Sequence, residues 1–302
     1  MNSDITNLQK RFGKNLTTNE NLSKYSWFNL GGPADIFFRP DSKSQLTDFL
    51  NTIRKKNYKT FILGAGSNTL IRDSGVKGVV IKLGSKFSNI KLLNKDVIEV
   101  GASTLDRKVS DFAKNNNIGG MEFLACIPGS IGGAVIMNSG CYGSDISKIL
   151  MSVKVIDDKG KERELKKEQI NFFYRGTDIP ENFIILSVVL KGIVSSKKLI
   201  EEKQESLLLR KKASQPSRIK TGGSTFKNTN GKKAWALIKE SGCDKLFIGD
   251  AKISEKHCNF FVNEGNAKTE DIEKLIEKVK TEVKDKTGIN LELEIKIIGN
   301  ER

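Results

Sequence analysis

Apolar residues recur at helical spacing in three stretches of the chain. After a capping box formed by Ser42 and Gln45, the side chains of Leu46, Phe49 and Ile53 fall on one face of a helix. The same spacing predicts a helix from about Leu105 to the asparagine run at 115–117 and another over 269–288. We expect two further helices, a lysine-rich one over about 196–212 and one over about 234–240. We expect Thr269 to be the N-cap of the last helix and Gly288 to end it.

Short runs of apolar and β-branched residues between these helices predict strands. They lie at 79–81, 97–100, 183–190 and 291–298, and the last run alternates strictly between apolar and polar residues. A turn at 157–160 is flanked by apolar residues and predicts a hairpin. Helices and strands are thus mixed along the chain.

The sequence pattern changes after the predicted lysine-rich helix at 196–212. Pro216 marks a break there, and we place a domain boundary near Ala213. The predicted domains are 1–212, with lobes of about 1–80 and 81–212, and a smaller domain over 213–302.

Glycine is concentrated between Gly129 and Gly143, where five glycines fall within fifteen residues. Apolar neighbours such as Ile131 and Val135 argue against a solvent loop, and this much glycine weakens a regular helix or strand. We therefore expect backbone that a ligand approaches closely. Consecutive bare N–H groups bind anions such as a diphosphate.

A second glycine-rich segment, Gly64-Ala65-Gly66-Ser67-Asn68, follows a short apolar strand. Thr69 occupies the place of the third glycine in the dinucleotide fingerprint, and no helical period follows at once, so we reject a Rossmann site. A single segment of this kind is typical of a tight turn. Two of them in one chain favour a cofactor that contains a nucleotide diphosphate.

The chain has 302 residues and a formal net charge of +15, which raises the question of nucleic-acid binding. Lysines are spread along the whole chain and interleaved with acids, so we interpret the charge as a solvated surface that also attracts polyanionic ligands. The longest apolar run, 183–190, is shorter than the roughly 20 residues that span a bilayer. We expect no nucleic-acid partner, no membrane insertion and a monomer.

Four cysteines and one histidine limit the chemistry available to the chain. Cys126, Cys141, Cys243 and Cys258 form no Cys-x-x-Cys pair, and His257 has no defensible partners for a catalytic triad. We expect no metal site. Since the first residues carry no secretion signal, reduced thiols of a cytoplasmic protein are expected.

Three polar residues remain ambiguous from their surroundings alone. Arg175 has the character of a surface arginine, Ser224 that of a turn serine, and Glu294 that of a solvated glutamate on the outer face of the last strand. The motifs that contain these three residues favour a functional role for them.

Both glycine-rich segments and four shorter motifs resemble the bacterial UDP-N-acetylenolpyruvoylglucosamine reductases, a family of the vanillyl-alcohol-oxidase-type FAD superfamily. The shorter motifs are NLGGPA at 29–34, Tyr174-Arg175, GSTFKN at 223–228 and the segment from Leu291 to Gly299. They occur in the family's order, over nearly the whole chain from about Tyr25 to Gly299. The chain resembles the compact subtype, which lacks an additional tyrosine-bearing loop.

This resemblance implies an α+β fold. A two-lobed FAD-binding module of the vanillyl-alcohol-oxidase type covers 1–212, and a smaller α+β substrate-binding domain covers 213–302. The cofactor is non-covalent FAD, and NADPH is the co-substrate. Implied FAD contacts are Gly64, Ala65, Gly66, Ser67, Asn68, Thr69, Pro128, Gly129, Ser130, Gly133, Ala134, Asn138 and Gly140. Implied contacts to the UDP-sugar substrate are Tyr174, Arg210, Lys227, Asn228 and His257.

The resemblance also implies a reaction in two halves, in which NADPH reduces FAD and hydride then passes to an enolpyruvyl ether on UDP-N-acetylglucosamine. Arg175 would stabilise the resulting negative charge, Ser224 would deliver a proton, and Glu294 would orient or polarise the substrate. Lys220 and Thr229 depart from the usual substrate-loop pattern, and Cys126 stands where a glycine is common.

Two other functions are compatible with parts of the sequence. A flavin oxidase of the same superfamily often links its flavin covalently to His or Cys, but His257 lies outside both glycine-rich segments. A basic nucleic-acid-binding protein would bind in a salt-dependent way and would leave both glycine-rich segments unexplained.

Overall fold

The chain forms two compact units in the computed structural model, which describes residues 2–54, 56, 58–157, 159–229 and 231–301. Unit 1 comprises residues 1–18, 36–65 and 78–211, and unit 2 comprises 19–35, 66–77 and 212–302. Each unit has its own hydrophobic core.

Seven α-helices lie in the described residues. Their bounds are α1 Asn2–Phe12, α2 Lys43–Arg54, α3 Asp106–Asn115, α4 Ile131–Ile136, α5 Lys197–Ser214, α6 Ala234–Glu240 and α7 Thr269–Thr287.

Most of the strands are short. Those before the glycine-rich region are β1 Leu16–Asn21, β2 Pro33–Phe38, β3 Thr60–Ile62, β4 Thr69–Ile71, β5 Val76–Ile81, β6 Ile90–Asn94, β7 Val97–Gly101 and β8 Ile118–Gly119. Those that follow up to helix α5 are β9 Gly140–Cys141, β10 Ser144–Asp145, β11 Leu150–Ile156, β12 Glu162–Lys166, β13 Phe172–Phe173, β14 Gly176–Thr177, β15 Ile184–Lys191 and β16 Ile193–Val194. The last five are β17 Lys220–Ser224, β18 Phe247–Ile248, β19 Ala251–Ile253, β20 Phe260–Asn263 and β21 Lys296–Ile298.

An antiparallel five-stranded sheet in the order β12-β11-β15-β7-β6 forms the centre of unit 1. Its buried face packs on the apolar sides of α3 and α4, through residues such as Val109, Ile131 and Val135. Beside it, a second core stacks Phe38 on Phe49 at 3.8 Å between ring centres. The sheet therefore supports α4 and the glycine-rich residues around it.

The second sheet has the order β1-β2-β5-β3. Its β3 strand pairs in parallel with β5, so that Thr60 lies opposite Val79 and Ile62 opposite Ile81. Residues that follow these two strands, Gly64 and Lys82, consequently leave the sheet at the same edge.

Unit 2 is built on the antiparallel sheet β17-β20-β19-β18, with α6 and α7 packed on it. The long α7 buries a stripe of apolar residues, which includes Ile272, Leu275, Ile276, Val279 and Val283. This stripe is the one that the sequence pattern predicted.

Most predicted elements are confirmed. Ser42 accepts a hydrogen bond from the Gln45 amide at 3.1 Å, so the start of α2 is the predicted cap. The predicted hairpin is β11–β12, with Asp157 inside its turn, while Asp158 lies outside the described residues. Gly288 ends α7 with a left-handed φ of 71°.

The predicted N-cap of α7 is wrong. Thr269 is the first helical residue, and Lys268 takes the cap position. The Thr269 amide donates to Asp73 Oδ2 at 2.8 Å, and the Thr269 hydroxyl lies 2.9 Å from both the Ile71 carbonyl and Asp73 Oδ1. A carboxylate from a distant segment therefore satisfies the positive end of the helix.

The last predicted strand is shorter than its pattern indicates. Only Lys296–Ile298 pair as β21, and this strand lies parallel to β4. Before it, Leu293 makes an isolated bridge to Phe226, and the chain then bends at Glu294. Leu291 and Ile295 are buried, so the alternation reflects burial rather than one continuous strand.

Glycine-rich residues 131–136 form the short helix α4, although their composition argued against regular structure. Ile131, Ala134 and Val135 are buried and anchor this helix in the core of unit 1. Tertiary packing therefore outweighs the weak helix propensity of two glycines.

The units differ in one respect from the contiguous domains that the sequence predicted. The division between Lys211 and Lys212 lies beside the predicted boundary, but residues 19–35 and 66–77 cluster with the C-terminal residues. The assignment of these ranges to FAD and substrate binding stays a prediction. No helix among the described residues is long and apolar enough to cross a membrane.

Asp106 is a fully buried carboxyl group at the start of α3. Within the described part of the chain, neither of its carboxylate oxygens has a hydrogen-bond partner. Burial raises the pKa of Asp106 well above its usual value. The native state therefore holds this proton more tightly than the unfolded chain does.

We expect Asp106→Asn to gain stability relative to the unmodified protein as pH rises above about 4. Above that pH the unfolded chain ionises while the native Asp106 stays protonated, which costs up to about 1.4 kcal/mol per pH unit until the native pKa is reached. Urea denaturation across pH 4–7 measures the difference. Asp111→Asn, on the exposed side of α3, controls for loss of an acidic residue. A difference independent of pH would contradict the prediction.

Candidate active site

The two glycine-rich segments meet inside unit 1. A Cβ atom on Gly64 would lie 2.9 Å from Ser130 Oγ, so Gly64 must remain without a side chain for this approach. The Lys82 ammonium donates a hydrogen bond to the Gly64 carbonyl. Burial, together with the charge of Arg39, lowers the pKa of Lys82 to about 8. Lys82 therefore remains mainly cationic at neutral pH beside both segments.

Gly132 and Gly133 have different surroundings in α4. A Cβ on Gly132 would lie 3.0 Å from Ala102 Cβ and 3.1 Å from its carbonyl oxygen, at the buried end of β7. A Cβ on Gly133 would meet only Ser130 Oγ, at 3.7 Å. A side chain on Gly132 would thus be tightly packed against Ala102, whereas Gly133 leaves space for a ligand.

The remaining predicted FAD contacts of unit 1 lie along the same backbone. Ser130 bridges to Leu105, and the Gly129 carbonyl accepts from the Asp106 amide at 3.1 Å. Pro128 precedes this bridge, Ala134 is buried in α4, and Ala65 follows Gly64 in the turn after β3. Gly140 has an internal reason to be glycine, because its Cβ would meet the Ser144 carbonyl at 2.4 Å.

Asn138 links this glycine-rich backbone to the hairpin that carries Tyr174 and Arg175. Its amide nitrogen donates to the Phe173 carbonyl at 3.2 Å, and its side-chain oxygen accepts from the Ser147 amide at 3.1 Å. Tyr174 and Arg175 form the two-residue turn between β13 and β14.

Arg175 has an uncommon backbone conformation for a residue with a side chain. Its φ is 61°, and its guanidinium lies 5.0 Å from the centre of the Tyr174 ring. Left-handed non-glycine residues are strained and cluster at functional sites. The turn therefore presents a cation on an exposed aromatic ring, next to the segment that contains Asn138.

The end of α5 also reaches the glycine-rich backbone. The Arg210 guanidinium lies 4.5 Å from the centre of the Tyr142 ring. The next residue, Lys211, donates from Nζ to the Cys126 carbonyl at 2.8 Å. The glycine-rich backbone of unit 1 thus lies close to three predicted site residues, Asn138, Arg175 and Arg210.

In unit 2, residues that follow the first glycine pair connect to the C-terminal segment. Asn68 donates from Nδ2 to the Glu294 carbonyl at 3.0 Å, and its own carbonyl accepts from the Lys296 amide at 2.9 Å. Thr69 begins β4 opposite Lys296, and Ser67 lies in the preceding turn. Gly66 must be glycine because a Cβ would lie 1.8 Å from the Tyr25 carbonyl.

Ser224 and Glu294 lie on neighbouring backbone segments. Ser224 ends β17 opposite Phe260, after an irregularity at two glycines that lets Gly222 pack closely on the Phe28 ring. The Glu294 amide donates to the carbonyl of Thr225 at 2.8 Å. Both side chains are half-buried.

The three remaining predicted substrate contacts have structural partners. Lys227 lies 3.5 Å from the Glu292 carboxylate, and Asn228 Oδ1 accepts from the Ala234 amide at the start of α6. His257 Nδ1 accepts from the Asn259 amide at 3.3 Å. Burial lowers the pKa of His257, so its neutral form, with the proton on Nε2, suits this bond.

Sequence reasoning missed Lys82 and Asn259. Asn259 accepts from the Phe226 amide at 2.9 Å and donates to the Phe226 carbonyl at 2.7 Å, so it holds the strand end after Ser224. No local motif identifies this role, because the two residues are 33 positions apart. Lys82 directly follows the buried strand residues 79–81, and this position is the one feature of the sequence that could have identified it.

The geometry of unit 1 fits the expected FAD. Gly64 and Gly133 leave the backbone open, and Lys82 brings a cation to the same segments, which suits an anionic diphosphate. The residues suited to hold it in unit 1 are Gly64, Ser130, Gly133 and Lys82.

Family models match most of the chain. The model described as FAD binding domain matches residues 34–166, and the model described as UDP-N-acetylenolpyruvoylglucosamine reductase, C-terminal domain, matches 215–298.

Individual proteins are similar over nearly the full length. The chain is 48% identical over 298 residues to the UDP-N-acetylenolpyruvoylglucosamine reductase of Pelagibacter ubique (strain HTCC1062), covering 98% of each chain. It is 43% identical to the protein of that name from Gluconobacter oxydans (strain 621H), covering 94% of this chain and 92% of the relative. The solved structure of the reductase from Thermus caldophilus is 32% identical, with a TM-score of 0.81, and the match covers 93% of this chain and 97% of that one.

Gly132→Ala and Gly133→Ala form a matched pair within one helix. We expect Gly132→Ala to lower the free energy of unfolding by about 1–3 kcal/mol, because its methyl group meets buried backbone. Gly133→Ala should keep or slightly raise stability through helix propensity, but weaken FAD binding by occupying the open space. Urea denaturation and FAD titration separate the two effects. Equal stability losses with unchanged FAD affinity would refute this distinction.

Proposed function

Because the chain belongs to the family of UDP-N-acetylenolpyruvoylglucosamine reductases, we propose that Arg175, Ser224 and Glu294 carry the chemistry of its reaction. That reaction is the NADPH-dependent, FAD-mediated reduction of UDP-N-acetylglucosamine enolpyruvate to UDP-N-acetylmuramate, in peptidoglycan precursor synthesis.

The backbone hydrogen bond from the Glu294 amide to the Thr225 carbonyl, beside Ser224, supports the assignment most directly. It holds together the backbone segments that carry these two candidate side chains, independently of any ligand. Asn259 and Asn68, which bond the same two segments, add to the rigidity of this pair. Groups held in this way lose little freedom when they act on a substrate.

Arg175 pairs with the carboxylate of the enolpyruvyl group. FAD, when bound, supplies the hydride, and negative charge then builds up toward that carboxylate. A guanidinium is planar and permanently charged, so it can bind both carboxylate oxygens and stabilise this charge. The left-handed φ of Arg175 supports the proposal, because strain of this kind persists where a side chain has to be aimed.

Ser224 donates the proton from Oγ to the carbon next to the one that receives hydride. A serine hydroxyl is a weak acid, so it can act only on a strongly basic carbon and only when it is already in line. Glu294 polarises the same end of the substrate. Its carboxyl group suits a developing anion when it carries a proton.

We also propose that the enzyme works in the cytoplasm, where NADPH and UDP-sugars are available, and that its product serves cell-wall growth and thereby cell shape and division. The four cysteines are free thiols, as suits a reducing compartment.

The function is tested by the visible spectrum of the FAD-loaded protein without oxygen. We expect the yellow colour to bleach with NADPH and to return when UDP-N-acetylglucosamine enolpyruvate is added. Bleaching that the substrate does not reverse would contradict the reductase activity. Protein that takes up no FAD would contradict the cofactor as well.

The proton donor is tested by Ser224→Ala in the same assay. Reduction by NADPH should proceed at the normal rate, while recovery of the colour by substrate slows by about 10²–10⁴-fold, the usual contribution of a general acid. Thr225→Val is a matched control, since the Thr225 hydroxyl is buried and has no hydrogen-bond partner among the described residues. The assignment would be wrong if Ser224→Ala left both half-reactions unchanged.

A further inference from the structure

Two cysteines stand at the ends of the glycine-rich segment of unit 1. Cys126 ends the 3₁₀ turn Glu122–Cys126, directly before Ile127-Pro128-Gly129, and Cys141 ends β9. The Cys141 thiol donates to the Phe123 carbonyl in the same turn at a sulfur–oxygen distance of 3.6 Å. β9 therefore lies against the turn. The Cys126 and Cys141 side chains interact, although they are fifteen positions apart in the chain.

The surroundings make the two thiols unlike one another. Interaction with the Cys141 side chain lowers the pKa of Cys126 to about 7, and the charge of Lys211 acts in the same direction while burial opposes it. Interaction with the Cys126 side chain, together with burial, raises the pKa of Cys141, although Lys211 and Arg175 lie close enough to act against the rise. At neutral pH Cys126 thus carries a substantial thiolate fraction, whereas Cys141 remains a thiol.

We propose that Cys126 and Cys141 form a modification site, a thiol pair that hydrogen peroxide converts into a reversible disulfide. The geometry that carries this proposal is the contact of β9 with the 3₁₀ turn and the ammonium of Lys211, held 2.8 Å from the Cys126 carbonyl. Cys126 is buried and Cys141 is half-buried, so a small oxidant suits the site better than a bulky disulfide.

The chemistry balances with peroxide as the oxidant. The Cys126 thiolate attacks one peroxide oxygen, so that an S–O bond forms, the O–O bond breaks and hydroxide leaves, taking up a proton as water. The Cys141 sulfur then attacks the Cys126 sulfenic acid, the S–S bond forms, the S–O bond breaks, and the thiol proton leaves with the hydroxyl group as a second water. Two thiols lose two electrons in total, and one peroxide is reduced to two waters.

The bridge would close a loop that contains Ser130, Gly133 and Asn138. It would join the backbone before α4 to the backbone after it, and so restrict the segment that we assign to FAD. Cys243 and Cys258 lie in unit 2, and they serve as an internal comparison for general thiol oxidation.

The experiment treats the full-length, FAD-loaded protein with a small excess of hydrogen peroxide, unfolds it in denaturant that contains N-ethylmaleimide to block the remaining thiols, and maps unreduced peptides by mass spectrometry. We expect one peptide pair joined through Cys126 and Cys141, lighter by two hydrogen atoms and restored by dithiothreitol. The rate of bridging should rise as pH increases through about 7, because the thiolate is the nucleophile.

Variants assign the two roles. The double variant Cys243→Ala/Cys258→Ala should form the bridge at the normal rate. Cys141→Ser should stop bridging and leave a Cys126 sulfenic acid that dimedone traps, whereas Cys126→Ser should give no such adduct at Cys141. The proposal is overturned if peroxide leaves both thiols open to N-ethylmaleimide, oxidises Cys126 to sulfinic acid without a bridge, or joins other cysteines instead. Since the readout is mass, none of these outcomes depends on catalytic activity.

Discussion

The parallel pairing of β4 with β21 is the interaction on which the arrangement of unit 2 depends. It sets Thr69 opposite Lys296 and is reinforced by Arg72, which binds the Glu273 carboxylate at 2.9 Å, and by Asp73, which caps α7. These partners are about 200 residues apart in the chain. Through Asn68 the same pairing fixes Glu294, and through Glu294 it reaches the backbone beside Ser224.

Local patterns were sufficient for elements whose stability is local. The helices α2, α3, α5 and α6 were predicted from residues within or next to each helix, and all four lie close to the predicted ranges. The start of α7 and the last strand were predicted less well, because their partners come from residues 69–73 and 225–226. A pattern read along the chain contains no information on such partners. The same limit explains why residues 66–77 were not assigned to the C-terminal unit.

Composition predicted the glycine-rich backbone but could not distinguish one glycine from the next. Gly132 and Gly133 are adjacent, yet one faces the buried end of β7 and the other faces open space. Side-chain amides raise the same difficulty. Asn228 matches a substrate-binding motif, but its oxygen accepts from the first amide of α6, and Asn259, which matches no motif, holds the strand end that follows Ser224. Residue type determines which interactions a side chain can make, and tertiary contacts determine which of them it makes.

Positive charge near the glycine-rich backbone is placed more specifically than the net charge of the chain indicates. Most lysines are exposed, and the sequence supported only a general attraction for polyanions. In unit 1, however, Lys82 and Lys211 donate to the carbonyls of Gly64 and Cys126, and burial lowers the pKa of both. Desolvating an ammonium is unfavourable, so these two lysines cost stability where they stand. A bound diphosphate would offset part of that cost, and a Cys126 thiolate would do the same beside Lys211. These two half-buried lysines thus lie beside the backbone that we propose for FAD and beside the proposed thiol pair.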